Sequence, residues 1–243
     1  MLKEGERLDD LNRDGLKIIQ NPKKFCFGID AVLLSDFAKV HRGQICLDLC
    51  TGGGVIPILL AAKTKGQAFH GIEIQEEVAE MATRSVLLNN LQDKVKILCG
   101  DLKTLHSQFS TLNFNVVTAN PPYMPVGHGE QSPQGSNAIA RHEIMCTLDD
   151  VVAAAARALV PHGKFYMVHR PARLADIFAS FAKHNLAPKV LRLVQPRAGQ
   201  PPNLLLISAT KGGSAHLKME APLIIYGEDG KYTKEVLSIH GYE

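Results

Sequence analysis

The sequence predicts an α/β fold: a seven-stranded, mostly parallel sheet with helices on both faces and a C-terminal antiparallel hairpin at one edge. Two observations predict it. From residue 44 onward, short apolar runs alternate with longer stretches whose apolar residues recur at helical spacing, the pattern of parallel strands joined by crossover helices and covered on both faces. The last two apolar runs, APKVLRLVQP and NLLLISAT, have only the polar loop RAGQPPN between them, so they pair antiparallel.

The elements follow in chain order. Residues 1–43 form a preface of hairpin and helix. LKIIQNPKKFCFG reads as two extended pieces around the turn signal Asn21-Pro22. In DAVLLSDFAKV, residues Ala31, Leu34, Phe37 and Ala38 recur at helical spacing, and Asp30 suits the N-cap. QICLDL (44–49) is the first strand of the main domain, followed by a Gly-rich turn and the apolar helix VIPILLAAK. QAFHGIEI (67–74) is the next strand, and the helix over 75–90 gathers Val78, Met81, Ala82, Ser85, Val86 and Asn89 on one face. KVKILCG (94–100) and NFNVVTAN (113–120) are the third and fourth strands. A helix over 148–160 is stopped by Pro161, GKFYMVHR (163–170) is the fifth strand, and a helix over 171–185 opens on Pro171. The main domain spans 44–211. Residues 212–243, with Gly-Gly, Glu-Asp-Gly and several charges, read as a loosely attached tail or surface hairpin.

Composition excludes several classes. The 243 residues are 45% hydrophobic and 21% charged, as in a globular chain able to bury a substantial core. No run of 18 apolar residues spans a membrane, and MLKEGERLDD has no signal-peptide core, so the expectation is a cytoplasmic protein. Five cysteines, at 26, 46, 50, 99 and 146, include no Cys-x-x-Cys pair. Reduced, mostly buried thiols are expected, with neither a disulfide nor a metal site. A net charge of +3 permits a local basic patch without demanding one.

The chemistry sits at successive strand ends. In LDLCTGGGVIP (47–57) an acid closes a strand, three glycines turn the chain and a helix begins. Glycines let the backbone approach a ligand, and the helix start offers unpaired N–H groups. A dinucleotide loop would need a glycine where Pro57 stands, and a phosphate loop would need a following Gly-Lys-Ser or Gly-Lys-Thr. A nucleoside site for S-adenosylmethionine uses Asp48, which those readings leave idle, and a turn without ligand is the fourth reading. Glu73, at the next strand end, can accept both ribose hydroxyls of an adenosine. Asp101, after the third strand, either accepts from an adenine amino group or caps a helix. Asn120-Pro121-Pro122-Tyr123 follows the fourth strand. There a carboxamide oxygen and a rigid prolyl carbonyl can accept both hydrogens of a planar –NH2 group, and Tyr123 offers a flat face. All four elements fall on the carboxyl edge of one parallel sheet, where ligands bind.

At these residues the chain resembles class I S-adenosylmethionine-dependent methyltransferases of the small-domain group that act on amino nitrogens, over about residues 25–210. FGIDAVLLSDFA (27–38), ARHEIMCTLDDV (140–151) and MVHRPARLADI (167–177) resemble more narrowly the bacterial tRNA(Val) adenine-37 N6-methyltransferase family. The resemblance implies a Rossmann-like sheet and S-adenosylmethionine as methyl donor, with Asp48, Cys50, Gly52, Gly54, Glu73, Asp101 and Asn120 as its binding residues. Many family members carry Gly at the position of Cys50. It further implies Asn120, Pro121, Pro122 and Tyr123 as the catalytic motif, tRNA as substrate, and no metal or membrane partner. The target base is flipped out or lies in a loop.

Competing readings are methylation of a protein glutamine amide, adenine in DNA or guanine N2 in ribosomal RNA, a non-catalytic RNA- or partner-binding module, and a nicotinamide oxidoreductase. The preface, too short for the helical domain of glutamine methyltransferases, argues against the first. Candidate RNA contacts are Lys23, Lys24, Lys189, Arg192 and Arg197, each set against a plain solvated-surface role. The loop 124–142 is expected to close over the base, with Arg141 and His142 touching substrate or ordering that loop. Neither oligomeric state nor the exact RNA is fixed by these features.

Overall fold

The structure is a computed structural model that describes residues 2–23, 26–105, 113–123, 145–214 and 216–242. The chain opens with an antiparallel hairpin, β1 (Arg7–Asp10) and β2 (Lys17–Gln20), then α1 (Ile29–Phe37). The main sheet begins with β3 (Ile45–Leu49), α2 (Val55–Lys63), β4 (Ala68–Glu73), α3 (Glu76–Leu88), β5 (Val95–Cys99) and β6 (Phe114–Ala119). It continues through α4 (Leu148–Ala158), β7 (Leu159–His169), α5 (Leu174–Lys183), β8 (Leu186–Gln195) and β9 (Leu204–Lys211). Two short strands, β10 (Lys218–Met219) and β11 (Leu223–Ile224), precede α6 (Lys234–His240).

Among the described residues the main sheet has nine strands in the order β10-β8-β9-β7-β6-β3-β4-β5, with β11 also on β8. Strands β3 to β7 run parallel, and β9 is antiparallel to both β7 and β8. Side chains alternate between two cores. Cys46, Val116, Tyr166 and Leu206 face one core with α1, α2 and α6, while Leu47, Val117, Phe165 and Leu205 face the other with α4 and α5. That two-sided burial is why these strands read as continuous apolar runs.

All seven expected strands are present, and four boundaries differ. The N-terminal hairpin turns upstream of Asn21-Pro22, where Asn12, Asp14 and Gly15 adopt left-handed backbone angles (φ 52°, 50° and 71°). Asp14-Gly15 supplies that turn chemistry, and β2 docks on α3: the Ile19 N–H donates to Ser85 Oγ at 3.0 Å. Helix α1 is capped by the Gly28 backbone, and Asp30 lies inside its first turn. Helix α4 ends at Ala158, and strand β7 starts at once. Pro161 lies in a bulge of that strand, with His162 at φ 62° and a register shift against β6. The helix expected over 171–185 begins as a 3-10 turn, Pro171–Arg173.

The described residues of the C-terminal segment, 212–214 and 216–242, are not a loose tail. β10 and β11 lengthen the sheet parallel to β8, so the C-terminal hairpin is not the sheet's outer edge. Leu223 and Val236 are fully buried in the core beside α1. Three of the expected RNA-contacting cations hold this segment down. Lys189 Nζ donates to the Ser214 carbonyl, Arg192 to the Ala221 carbonyl and Glu235, and Arg197 to the Gly227 carbonyl. Among the described residues no helix is long and apolar enough to cross a membrane. Leu223→Ala should lower the free energy of unfolding by about 2–4 kcal/mol in urea titrations. A change under about 0.5 kcal/mol would restore the loose-tail reading.

Candidate active site

The order of strands reverses between β3 and β6, and the chain leaves their carboxyl ends in different directions. A cavity of about 610 Å³ opens there. Its wall includes Phe27, Cys50, Gly52, Glu73, Asp101 and Asn120 through Tyr123. Three left-handed residues shape the loop after β3: Cys50 (φ 56°), Gly52 (φ 54°) and Gly54 (φ 82°). Glycine adopts this conformation freely, whereas Cys50 takes it under strain. The loop lies against β4. Thr51 N–H donates to the Ile72 carbonyl at 3.0 Å, and a side chain at Gly71 would come within 2.7 Å of the Thr51 hydroxyl.

Glu73 ties loop and sheet together. Its Oε2 accepts from the Gly52 N–H and its Oε1 from the Gln75 N–H, each at 3.0 Å. Burial pushes its pKa up, and these backbone donors pull it back. A carboxylate has about four acceptor sites, so capacity remains toward the cavity. Asp48 lies at the end of β3 but does not line the cavity. It accepts from the Thr118 hydroxyl of β6 at 2.6 Å, while its Oδ2 is buried without a hydrogen-bond partner among the described residues. Burial raises its pKa to about 7, opposed by the hydroxyls of Thr118 and Thr51. Asp101 caps a 3-10 turn, its Oδ1 accepting from the Lys103 N–H at 2.8 Å, and it also lines the cavity. Gly54 stays off the cavity wall, packed so that a Cβ would stand 3.3 Å from that of Ala82.

Asn120-Pro-Pro-Tyr leaves β6 with both prolines buried. The Tyr123 hydroxyl donates to Asp30 Oδ2 at 2.6 Å and also contacts Asn120 Oδ1. The Arg170 guanidinium lies over the Tyr123 ring at 5.0 Å, and His169 meets that ring edge-on at 5.2 Å. His169 is fully buried, and desolvation lowers its pKa to about 4, so it is neutral beneath the tyrosine.

The structure thus brings together Cys50, Gly52, Glu73, Asp101 and the whole Asn-Pro-Pro-Tyr motif. Asp48 and Gly54 stand behind them. Lys24 and the whole of the loop 124–142, with Arg141 and His142, lie outside the described residues. Sequence reasoning missed Arg170, His169 and the reach of Asp30, which had been assigned to capping α1. It also missed that Cys50 Sγ lies 4.0 Å from Cys146 Sγ on the cavity wall. Among the described residues no group of three or more His, Cys, Asp or Glu is placed to hold a metal ion.

A family model described as "Methyltransferase small domain" matches residues 22–182. Curated relatives named tRNA1(Val) (adenine(37)-N6)-methyltransferase include one from Porphyromonas gingivalis, 27% identical over 87% of this chain and 86% of its own. One from Aeromonas hydrophila is 24% identical over 87% of each chain. Among solved structures, a protein from Agrobacterium tumefaciens described as a predicted O-methyltransferase superposes with a TM-score of 0.70, at 24% identity over 88% of this chain and 96% of its own. A tRNA m1G37 methyltransferase from M. jannaschii reaches 0.59 at 12% identity, over 86% of this chain and 58% of its own. At these identities the structural likeness carries the fold alone.

The raised pKa of Asp48 has a definite sign in stability. The folded state holds this proton up to about pH 7, whereas the unfolded chain releases it near the ordinary aspartate value of 3.8. Its contribution is full below that lower value and is lost as pH rises to about 7. Unfolding free energies of the parent and Asp48→Asn, measured from pH 4 to pH 8, should therefore diverge steadily and level off above about pH 7, with the parent losing ground. Parallel curves would show that Asp48 is ionised throughout.

Proposed function

The chain belongs to the methyltransferase small domain family, and on that premise we propose that it methylates N6 of an adenine in tRNA, position 37 of the anticodon loop of tRNA(Val), using S-adenosylmethionine. One observation carries the reading: Asn120-Pro121-Pro122-Tyr123 opens into the same cavity as Glu73 and Cys50, Thr51 and Gly52 of the loop after β3. A group that grips an amine and a group that grips a nucleoside then share one chamber.

The residues present fit the cofactor. Glu73 and Asp101 face the cavity and suit a cationic ligand, whereas the carboxylate of Asp30, also on the wall, is engaged by Tyr123 and the Ala31 N–H. Gln75, also on the wall, has its Oε1 buried without a hydrogen-bond partner among the described residues. Glu73 would hold the ribose hydroxyls on its remaining acceptor sites, and Asp101 the adenine amino group. Gly52, lacking a side chain, leaves backbone room for the ligand. When bound, S-adenosylmethionine supplies an electrophilic methyl group.

The protein's part is to present the nucleophile. The lone pair of an adenine amino group is delocalised into the ring, so it attacks poorly. The Asn120 carboxamide oxygen and the Pro121 carbonyl accept its two hydrogens, which favours a lone pair directed at the methyl group. Tyr123 holds the base, and the prolines fix the spacing between the acceptors. The names of the curated relatives favour adenine over a glutamine amide. A tRNA substrate implies residence in the cytoplasm.

Labelled methyl transfer to unmodified tRNA(Val), with nucleoside analysis of the product, tests the proposal. N6-methyladenosine should form with the parent and fall by about 100-fold or more with Asn120→Ala. Transfer only to other RNA or to a protein glutamine would discard the substrate and keep the chemistry. No transfer, together with no cofactor binding, would leave a binding module.

A further inference from the structure

The Tyr123 hydroxyl meets two acceptors, Asp30 Oδ2 at 2.6 Å and Asn120 Oδ1. A phenol carries one hydrogen and can donate it once. The carboxylate is the stronger acceptor because it is charged. It is also the better placed, since Asp30 Oδ1 accepts from the Ala31 N–H at 2.9 Å and α1 is anchored by the buried run Ala31–Ser35. Both burial and Asp30 push the Tyr123 phenol far above its usual pKa, so the hydrogen stays on the tyrosine. With that hydrogen spent on Asp30, the tyrosine oxygen has only lone pairs to offer Asn120.

A carboxamide rotated by half a turn exchanges its oxygen and nitrogen in place. We infer that Asp30 is a positioning residue: through Tyr123 it turns the Asn120 –NH2 toward the phenol and thereby leaves the Asn120 oxygen as the free acceptor in the cavity. The alternative orientation would set the Asn120 –NH2 against the hydrogens of an incoming amine, donor against donor. The relay therefore selects a substrate that donates from a planar –NH2 group. Arg170 and His169 keep the ring from swinging and so hold the hydroxyl on Asp30. The substrate clause rests on the function proposed above; the relay itself does not.

The test has two arms on the full chain. In the first, the Asn120 side-chain amide is found in a 15N spectrum by its absence from Asn120→Asp, and its hydrogen exchange is followed without any substrate. One proton should exchange at least about tenfold more slowly in the parent than in Tyr123→Phe or Asp30→Ala. In the second arm, each of those two variants should lower kcat for tRNA methylation by about tenfold, with S-adenosylmethionine affinity within about twofold of the parent. The double variant should be no slower than the slower single one, because both act through one hydroxyl. An unprotected amide in the parent, protection that survives in Asp30→Ala, or losses that multiply in the double variant would overturn the relay. A protected amide in a parent that methylates no RNA would support the relay and refute the proposed substrate.

Discussion

The site exists because β3 pairs with β6. Cys46–Leu49 lie in register with Val116–Ala119 at the centre of the sheet. To one side the chain continues into β4 and β5, to the other into β7. Right-handed crossovers then send α2 and α3 to one face and α4 to the opposite face. The connections leaving β3 and β6 must diverge, and the space between them is the cavity. The Thr118–Asp48 hydrogen bond staples the two strands directly behind it.

What the pairing opens, Glu73 furnishes. A carboxylate removed from water is costly. Two backbone donors offset part of that cost at Glu73, and none reaches Asp48 Oδ2. The region thus holds acids whose ionised forms are penalised by burial, and Cys50 in a backbone conformation that favours glycine. Such concentrated strain belongs to sites that gain when a ligand arrives. The surrounding cores supply the stability.

Much of this was legible in the sequence because its signals are local. Strands β3 to β6 each announce themselves as an apolar run closed by an acid, a glycine or Asn120, and the closing residues share an edge by topology alone. Signals that join distant segments were not legible. Asp30 and Tyr123 are 93 residues apart, and Cys50 and Cys146 are 96 apart; no spacing rule links them. Asp30 was read as a cap because capping is the local role for an acid at a helix start. β10 and β11, two residues each, are too short for any periodicity. The bulge at Pro161 follows from pairing with β6, so the proline alone placed the helix end slightly late.

The cover over β8 has a consequence for how the chain comes into being. β8 is a ten-residue strand, and one of its edges is occupied only by β10 and β11. An uncovered edge of that length is a template for strand addition from another molecule. Its cover lies later in the chain, so during synthesis β8 and β9 emerge before the residues that shield them. The bonds from Lys189 and Arg192 of β8, and from Arg197 just beyond it, to carbonyls of the following segment hold the shield on that edge. Cations that look like nucleic-acid contacts thus hold the cover on an edge that would otherwise be open to strand addition.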